Sequence, residues 1–350
     1  MPRTLWIGTY PPAGIGTPPG RGEGIYRVRL AADGTLSEPV RLVETPAPSF
    51  VVQRPGGGVL YAADESQPGR VAAFRVHDEA LEPLGTASSG GAFPCHLAVD
   101  GDRLYAANYG DGALGVLALA PDGRFAADEP QVLRHAGAGP CTDRQDGPHA
   151  HFVVRGPGGH VLVVDLGTDQ VRRYARTPGG LEPAGIAATL PPGTGPRHLA
   201  FQGCAASPPE GSGGRFAYVT GELDSTVHVL AWDPATDSGE VVQTLPATGP
   251  GMAGTGTPPA PSHVAQHGAE LTVAVRGAGV LARFVVGDDG LLARRTEQPL
   301  PTGTPRHFAV VGPWTVVAEQ VPGAVTVLAS DGAVVATRAL PSASSVVPAG

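Results

Sequence analysis

Apolar residues occur along the whole chain as short runs of Val, Leu, Tyr and Ala that end at Gly, Pro or Asp, and the 3.6-residue spacing of an amphipathic helix is hard to find anywhere. Runs of this length and punctuation predict strands, and the chain reads as all-β. The runs are also related to one another. One phrase recurs six times: Pro, one or two polar residues often including His, an apolar pair, a Gly-containing turn, a strand closing on a polar residue, then a further strand. Copies begin at Pro48, Pro94, Pro148, Pro196, Pro261 and Pro305, so successive differences are 46, 54, 48, 65 and 44 residues. A four-stranded propeller blade needs roughly 40 to 50 residues. Segments 203–214 and 247–260 account for the excess in the longest interval.

A seventh unit is incomplete, with strands at Leu5–Thr9 and Gly24–Leu30 and no Pro-x-His opener. Its missing inner strand is expected from Ser342–Val347, which would join the two termini in one sheet and remove an open edge. The expectation is a single domain over residues 1–350: a seven-bladed β-propeller with four-stranded antiparallel blades around a central channel, its ring closed by the N- and C-terminal strands. Six or eight blades are the alternatives to that count.

Composition narrows the chemistry. Gly (51) and Pro (37) make up 88 of 350 residues, but 41% hydrophobic residues argue for a packed core. All 24 basic residues are Arg, which excludes a Schiff-base lysine and a Walker-type phosphate loop. A formal charge of −8 gives no reason to expect nucleic acid or a membrane as partner, although a local Arg cluster suits a small anionic substrate. The first ten residues hold no apolar run of signal-peptide or membrane length, so a cytoplasmic location is the expectation, as is a monomer or weak homo-oligomer. Cys95, Cys141 and Cys204 are scattered and read as reduced thiols. There is no Gly-x-Ser-x-Gly or His-Glu-x-x-His motif, and Gly14-Ile15-Gly16 lies in a Pro-rich loop instead of between a strand and a helix.

In an antiparallel pair, the start of one strand lies beside the end of the next. Two sets of polar residues should therefore share one rim. The strand starts carry His96, His149, Arg197, His198, His263, Arg306 and His307; the strand ends carry Glu65, Asn108, Asp165, Glu222, Arg276, Glu319 and Gln320. Histidines 96, 198, 263 and 307 recur at equivalent positions and read first as blade caps. Arg197, Arg276 and Glu222 break from the small or neutral residues at equivalent places, which favours a functional role. Asp165, in Asp-Leu-Gly-Thr-Asp, suits a turn as well as catalysis. His149 and His151 are two apart and should point the same way on a strand. They lack a third ligand for zinc, and arginines at the same rim oppose a calcium cluster of Glu65, Asn108, Asp165 and Glu319, so no metal or cofactor is expected.

The residues resemble those of the β-propeller lactonases, the family that includes bacterial 6-phosphogluconolactonase and the fungal carboxymuconate-lactonising enzyme. The resemblance spans nearly the whole chain: Ile7-Gly8-Thr9-Tyr10 with Gly22-Glu23-Gly24-Ile25-Tyr26, Ala107-Asn108-Tyr109, and Gly147-Pro148-His149-Ala150-His151. It continues through Asp165-Leu166-Gly167-Thr168-Asp169, Gly195-Pro196-Arg197-His198-Leu199 and Thr304-Pro305-Arg306-His307-Phe308. The resemblance implies a seven-bladed fold, no obligatory metal, and catalytic roles for His149, Arg197, Glu222 and Arg276. Departures at Gly221, Val275 and Glu319, where relatives usually carry Asn, bear on contacts to substrate hydroxyls more than on the reaction.

Hydrolysis of a sugar lactone, 6-phosphoglucono-1,5-lactone first, is the expected activity. His149 is the expected base, Glu222 orients it or the water, and Arg197 and Arg276 hold the oxyanion. Arg306, as a phosphate contact, would join His96, Asn108, Glu65, His151 and Gln320 in binding substrate. The alternatives are cycloisomerisation of a muconate-type dicarboxylate and a non-catalytic propeller used as a binding scaffold.

Overall fold

A strand covered on both faces must be apolar at nearly every position, whereas a strand with one wet face alternates. Both patterns occur inside each repeat. Val161–Asp165 is buried at all five positions, while Ser238–Pro246, the fourth strand of its sheet, has no fully buried position. The computed structural model describes residues 2–10, 24–77, 80–203, 214–250 and 257–350. Cys204, the Gly14-Ile15-Gly16 stretch and the Gly22-Glu23 pair lie outside the described residues. Among those described there are 28 strands in seven four-stranded sheets, with no helix. The fold is the seven-bladed β-propeller that the repeat spacing predicted.

The expected closing strand is present. Ala343–Pro348 pairs antiparallel with Arg3–Thr9, setting Ile7 opposite Val346 and Trp6 opposite Val347. The C-terminus thus completes the sheet begun by the N-terminus, and a free inner edge of main-chain donors and acceptors is paired.

The Pro-x-His phrase proves to be a bulge. The ladder slips between Pro94 and His96, between Ala150 and Phe152, between Pro196 and Leu199, between Pro261 and Val264, and between Pro305 and His307. At each, the first strand has one residue more than its partner. Proline is the first residue of three of these strands, at Pro94, Pro196 and Pro305, where its missing donor costs no ladder bond, and the extra residue re-aims the polar side chains that follow. This irregularity is repeated at the same place in five blades, beside the residues of chemical interest.

Backbone contacts divide the chain into two compact units, one of residues 1–108, 115–132 and 300–350, the other of residues 109–114 and 133–299. Inside each, the core lies between neighbouring sheets. In the second unit, Phe152, Leu162 and Val164 meet Leu199, Val219 and Trp232, and Tyr218, Val227 and Val229 meet Val264, Val273 and Phe284. In the first unit, Leu5, Ile7, Val28 and Val346 pack with Val316, Val325 and Val327. The free thiols include Cys95, buried, and Cys141, exposed.

Val346, with no exposed surface, tests the closure. Val346→Asp buries an unpaired charge and is expected to lower unfolding stability by about 3 kcal/mol or more in denaturant titration. Val334→Asp, at a residue 47% exposed, should change it by no more than about 0.5 kcal/mol.

Candidate active site

Glu222 follows the strand Phe216–Gly221, which pairs Gly221 with Pro196. Its amide donates to the Gly195 carbonyl at 2.9 Å, so Glu222 is fastened beside the bulge that carries Arg197. Gly195 has φ +57°, and a Cβ there would lie 2.3 Å from Leu223 Cγ, so only glycine fits. The Glu222 carboxylate is buried among three guanidinium groups. Arg197 Nε is 2.8 Å and Arg276 Nη2 2.6 Å from Oε2, and Arg144 Nη2 is 2.8 Å from Oε1. Burial alone would push the Glu222 carboxyl up. The charges of Arg276, Arg197 and Arg144, with His151, outweigh burial and hold it well below the usual carboxylate range. Three positive charges against one negative leave a net +2 in a chain whose formal charge is −8. An electropositive cluster of this kind binds anions and stabilises oxyanions.

Arg144 comes from the loop before the strand Ala150–Arg155. Its neighbour Gln145 is fully buried and anchors that loop: Nε2 donates to the Leu166 carbonyl at 2.9 Å and to Asp169 Oδ1 at 2.8 Å, and Oε1 accepts from the Cys141 amide at 3.1 Å. The Arg144 guanidinium also donates to the Tyr109 hydroxyl, from Nε at 3.2 Å and from Nη2 at 2.9 Å. The Tyr109 ring stacks on His149 at 4.8 Å and meets His151 edge-on at 5.7 Å, so both histidines face one ring, as their spacing predicts.

His149 is held at backbone and ring. Its amide donates to Asp165 Oδ1 at 3.1 Å, and Nδ1 lies 2.7 Å from the Tyr109 carbonyl. A carbonyl only accepts, so Nδ1 carries a proton and Nε2 is the nitrogen that faces Asp146. Asp146 Oδ1 lies 3.0 Å from Nε2 on a side chain that is 76% exposed. Hydrogen bonding and charge from His149 lower the Asp146 carboxyl. Asp165 is a turn former: Oδ1 accepts from the Thr168 amide and hydroxyl, and Oδ2 lies 3.0 Å from His135 Nε2. Gly167 is part of the same fit, because a Cβ there would be 1.9 Å from the Gly147 carbonyl oxygen and 2.9 Å from His149 Cδ2.

Beyond His151, whose ring lies 5.5 Å from that of His198, the row continues to His263, with 3.0 Å between the two Nδ1 atoms. One ring donates and the other accepts, so the pair shares a proton.

Five of the ten residues singled out from sequence lie in the second unit. His149, His151, Arg197, Glu222 and Arg276 come together there, three in direct ion pairs and two through Tyr109. The other five belong to the first unit. Arg306 lies 4.0 Å over the Tyr10 ring, and its Nη1 donates to Gln320 Oε1 at 3.1 Å. Asn108 Oδ1 accepts from the Ser89 hydroxyl at 2.6 Å while its amide donates to the Ser89 carbonyl. His96 packs on Phe50 at 4.3 Å, and Glu65 is buried with its amide on the Ala47 carbonyl. Glu319 is fully buried and ties Thr302, Gly303 and Thr326 together.

Arg144, Tyr109 and Asp146 were missed by sequence reasoning. Arg144 and Asp146 sit in a loop with no strand periodicity; only their place three to five residues ahead of His149 pointed to them. Among the described residues, no group of three or more His, Cys, Asp or Glu side chains is arranged to hold a metal ion.

The repeated sheets define a seven-bladed propeller, and its second unit carries a buried cationic cluster. The chain belongs to the lactonase family of seven-bladed β-propellers, described as "Lactonase, 7-bladed beta-propeller", whose family model matches residues 4–346. It is 30% identical over 311 residues to a 6-phosphogluconolactonase from Bacillus subtilis (strain 168), covering 87% of this chain and 83% of that one. Its identity to a 6-phosphogluconolactonase from Pectobacterium carotovorum is 32% over 251 residues, covering 69% and 68%. The solved structure of a periplasmic gluconolactonase from Pseudomonas aeruginosa superposes with a TM-score of 0.88 at 27% identity, covering 100% of this chain and 99% of that one.

The depressed Glu222 carboxyl fixes a pH dependence. Between its folded value and the ordinary 4.5, the unfolded chain binds more protons, so Glu222 contributes stability that is present above about pH 4.5 and is lost as pH falls through the folded value. Glu222→Gln should lose about 3 kcal/mol at pH 7, because three guanidinium groups are left uncompensated, and should flatten the acid limb of stability against pH. Gly167→Ala should displace His149 and lower any activity of this site more than it lowers the unfolding midpoint.

Proposed function

We propose that the protein hydrolyses sugar lactones, with 6-phosphoglucono-1,5-lactone as its substrate. The observation that carries this reading is the Glu222 carboxylate surrounded by Arg144, Arg197 and Arg276, with His149 joined to it through Tyr109. The names of the Bacillus and Pectobacterium relatives support the same substrate class.

A lactone carbonyl placed against Arg197 and Arg276 is polarised by fixed, permanently charged donors. Water attacks C1, the carbonyl electron pair moves to oxygen, and the oxyanion forms facing the two guanidinium groups. His149 Nε2 takes the proton lost by the attacking water. A carboxylate only accepts, so the contact with Asp146 requires a proton on Nε2; Nε2 acts as base once that proton has left to solvent and the exposed Asp146 side chain has turned away. When the intermediate collapses, the C1 to ring-oxygen bond breaks and the departing oxygen receives the proton from His149. The product is the open hydroxy acid, which ionises in water. Glu222 keeps its charge throughout and holds the arginines in register.

The test is a lactonase assay with spontaneous opening in buffer subtracted. The purified protein should accelerate opening of the phosphorylated lactone; no acceleration with several sugar lactones would overturn the reading. His149→Ala is expected to lower kcat by about 10² to 10⁴. Arg197→Ala should lower kcat by about 10² to 10³. Both are to be read on protein shown to be folded by its unfolding transition.

A further inference from the structure

We propose that Arg144 is the residue that grips the anionic group of the substrate, through an N–H group of Nη1. The proposal rests on the lactonase reading and adds a specificity determinant to it. A guanidinium has five donors. In Arg144, Nε and Nη2 serve the Tyr109 hydroxyl, and Nη2 also serves Glu222 Oε1. Among the described residues Nη1 meets no acceptor. Its N–H groups diverge, so one of them can donate to an oxygen of a carboxylate or phosphoryl group, with the guanidinium charge strengthening the bond.

Exposure separates this arginine from its neighbours. The Arg144 side chain is 30% exposed, against 3% for Arg197 and 9% for Arg276. The two buried arginines brace Glu222 Oε2, whereas Arg144 approaches the other oxygen from the side that reaches solvent. It is also preorganised. The bonds of Gln145 to Leu166, Asp169 and Cys141 pin the loop, and Tyr109 and Glu222 fix the plane of the guanidinium. Tyr109 sets the spacing to the proposed base: Arg144 Cζ is 6.0 Å from the Tyr109 ring centroid, and the His149 ring is 4.8 Å from it on the stacked face.

The experiment compares three lactones on wild type, Arg144→Ala and Arg144→Lys: 6-phosphoglucono-1,5-lactone, unphosphorylated glucono-1,5-lactone, and a glucaric acid lactone with a carboxylate in place of the phosphate ester. Arg144→Ala should raise KM for the phosphorylated lactone by about tenfold to a hundredfold. The rise should be about tenfold smaller with the uncharged lactone, on which Arg144 acts only through Glu222, and Arg144→Lys should recover part of the loss. A loss confined to the carboxylate lactone would keep the role and assign it to that anion. Equal losses with charged and uncharged lactones would reduce Arg144 to a support for Glu222, and no loss would remove it from the site; either overturns the proposal. If wild type accelerates no lactone, the functional reading fails and the anion site is tested separately by calorimetry with 6-phosphogluconate and inorganic phosphate. Binding by wild type that Arg144→Ala abolishes would sustain it, and binding unaffected by the substitution, or no binding by wild type, would overturn it.

Discussion

A buried carboxylate that faces three guanidinium groups is costly in every part except the whole. Glu222 alone would be forced toward its neutral form by burial, and Arg144, Arg197 and Arg276 alone would repel one another in a space of low dielectric. Together they hold one negative charge in place and leave positive charge to spare. The proposed binding of an anion and of a developing oxyanion rests on that surplus. It exists only because the main chain delivers the four residues from separate elements, with Glu222 fastened to Gly195 and Arg197 raised by the bulge after Pro196.

The bulge gives the repeat a second meaning. A regular ladder would send alternate side chains to opposite faces of each sheet, into the apolar contacts with neighbouring sheets. One extra residue at the start of five inner strands breaks that alternation where polar groups are needed. The same device has different consequences. In the second unit it presents Arg197 to a carboxylate, while in the first it leaves Arg306 against Tyr10 and Gln320. A repeated backbone feature thus supplies equivalent positions, and the side chains that fill them decide which join the ion-pair cluster and which are tied elsewhere into the fold.

The loop of residues 139–149 shows why part of the site escaped sequence reading. Gln145, fully buried, is an uncharged residue in an irregular segment, and nothing in its neighbours marks it as an anchor. Arg144 is one of 24 arginines, and without periodicity to assign it a face it looks like any solvated charge. The histidines were easier because they recur, yet recurrence could not say that His149 uses Nδ1 on the Tyr109 carbonyl or that His198 and His263 share a proton.

The sequence by itself determined the all-β architecture, the seven-unit count, the closing strand near residue 346 and the arginine, glutamate and histidine candidates. Each of these depends on local spacing: apolar runs, turn residues and a phrase repeated at blade length. Only the tertiary structure decided which candidates touch. Glu222 and Arg276 are 54 residues apart and Glu222 and Arg144 are 78 apart, and such contacts are set by the register and bulges of separate sheets. Charge balance, burial and the unused donors of Arg144 follow from that packing, because an electrostatic environment is a property of neighbours in space and leaves no periodic trace along the chain.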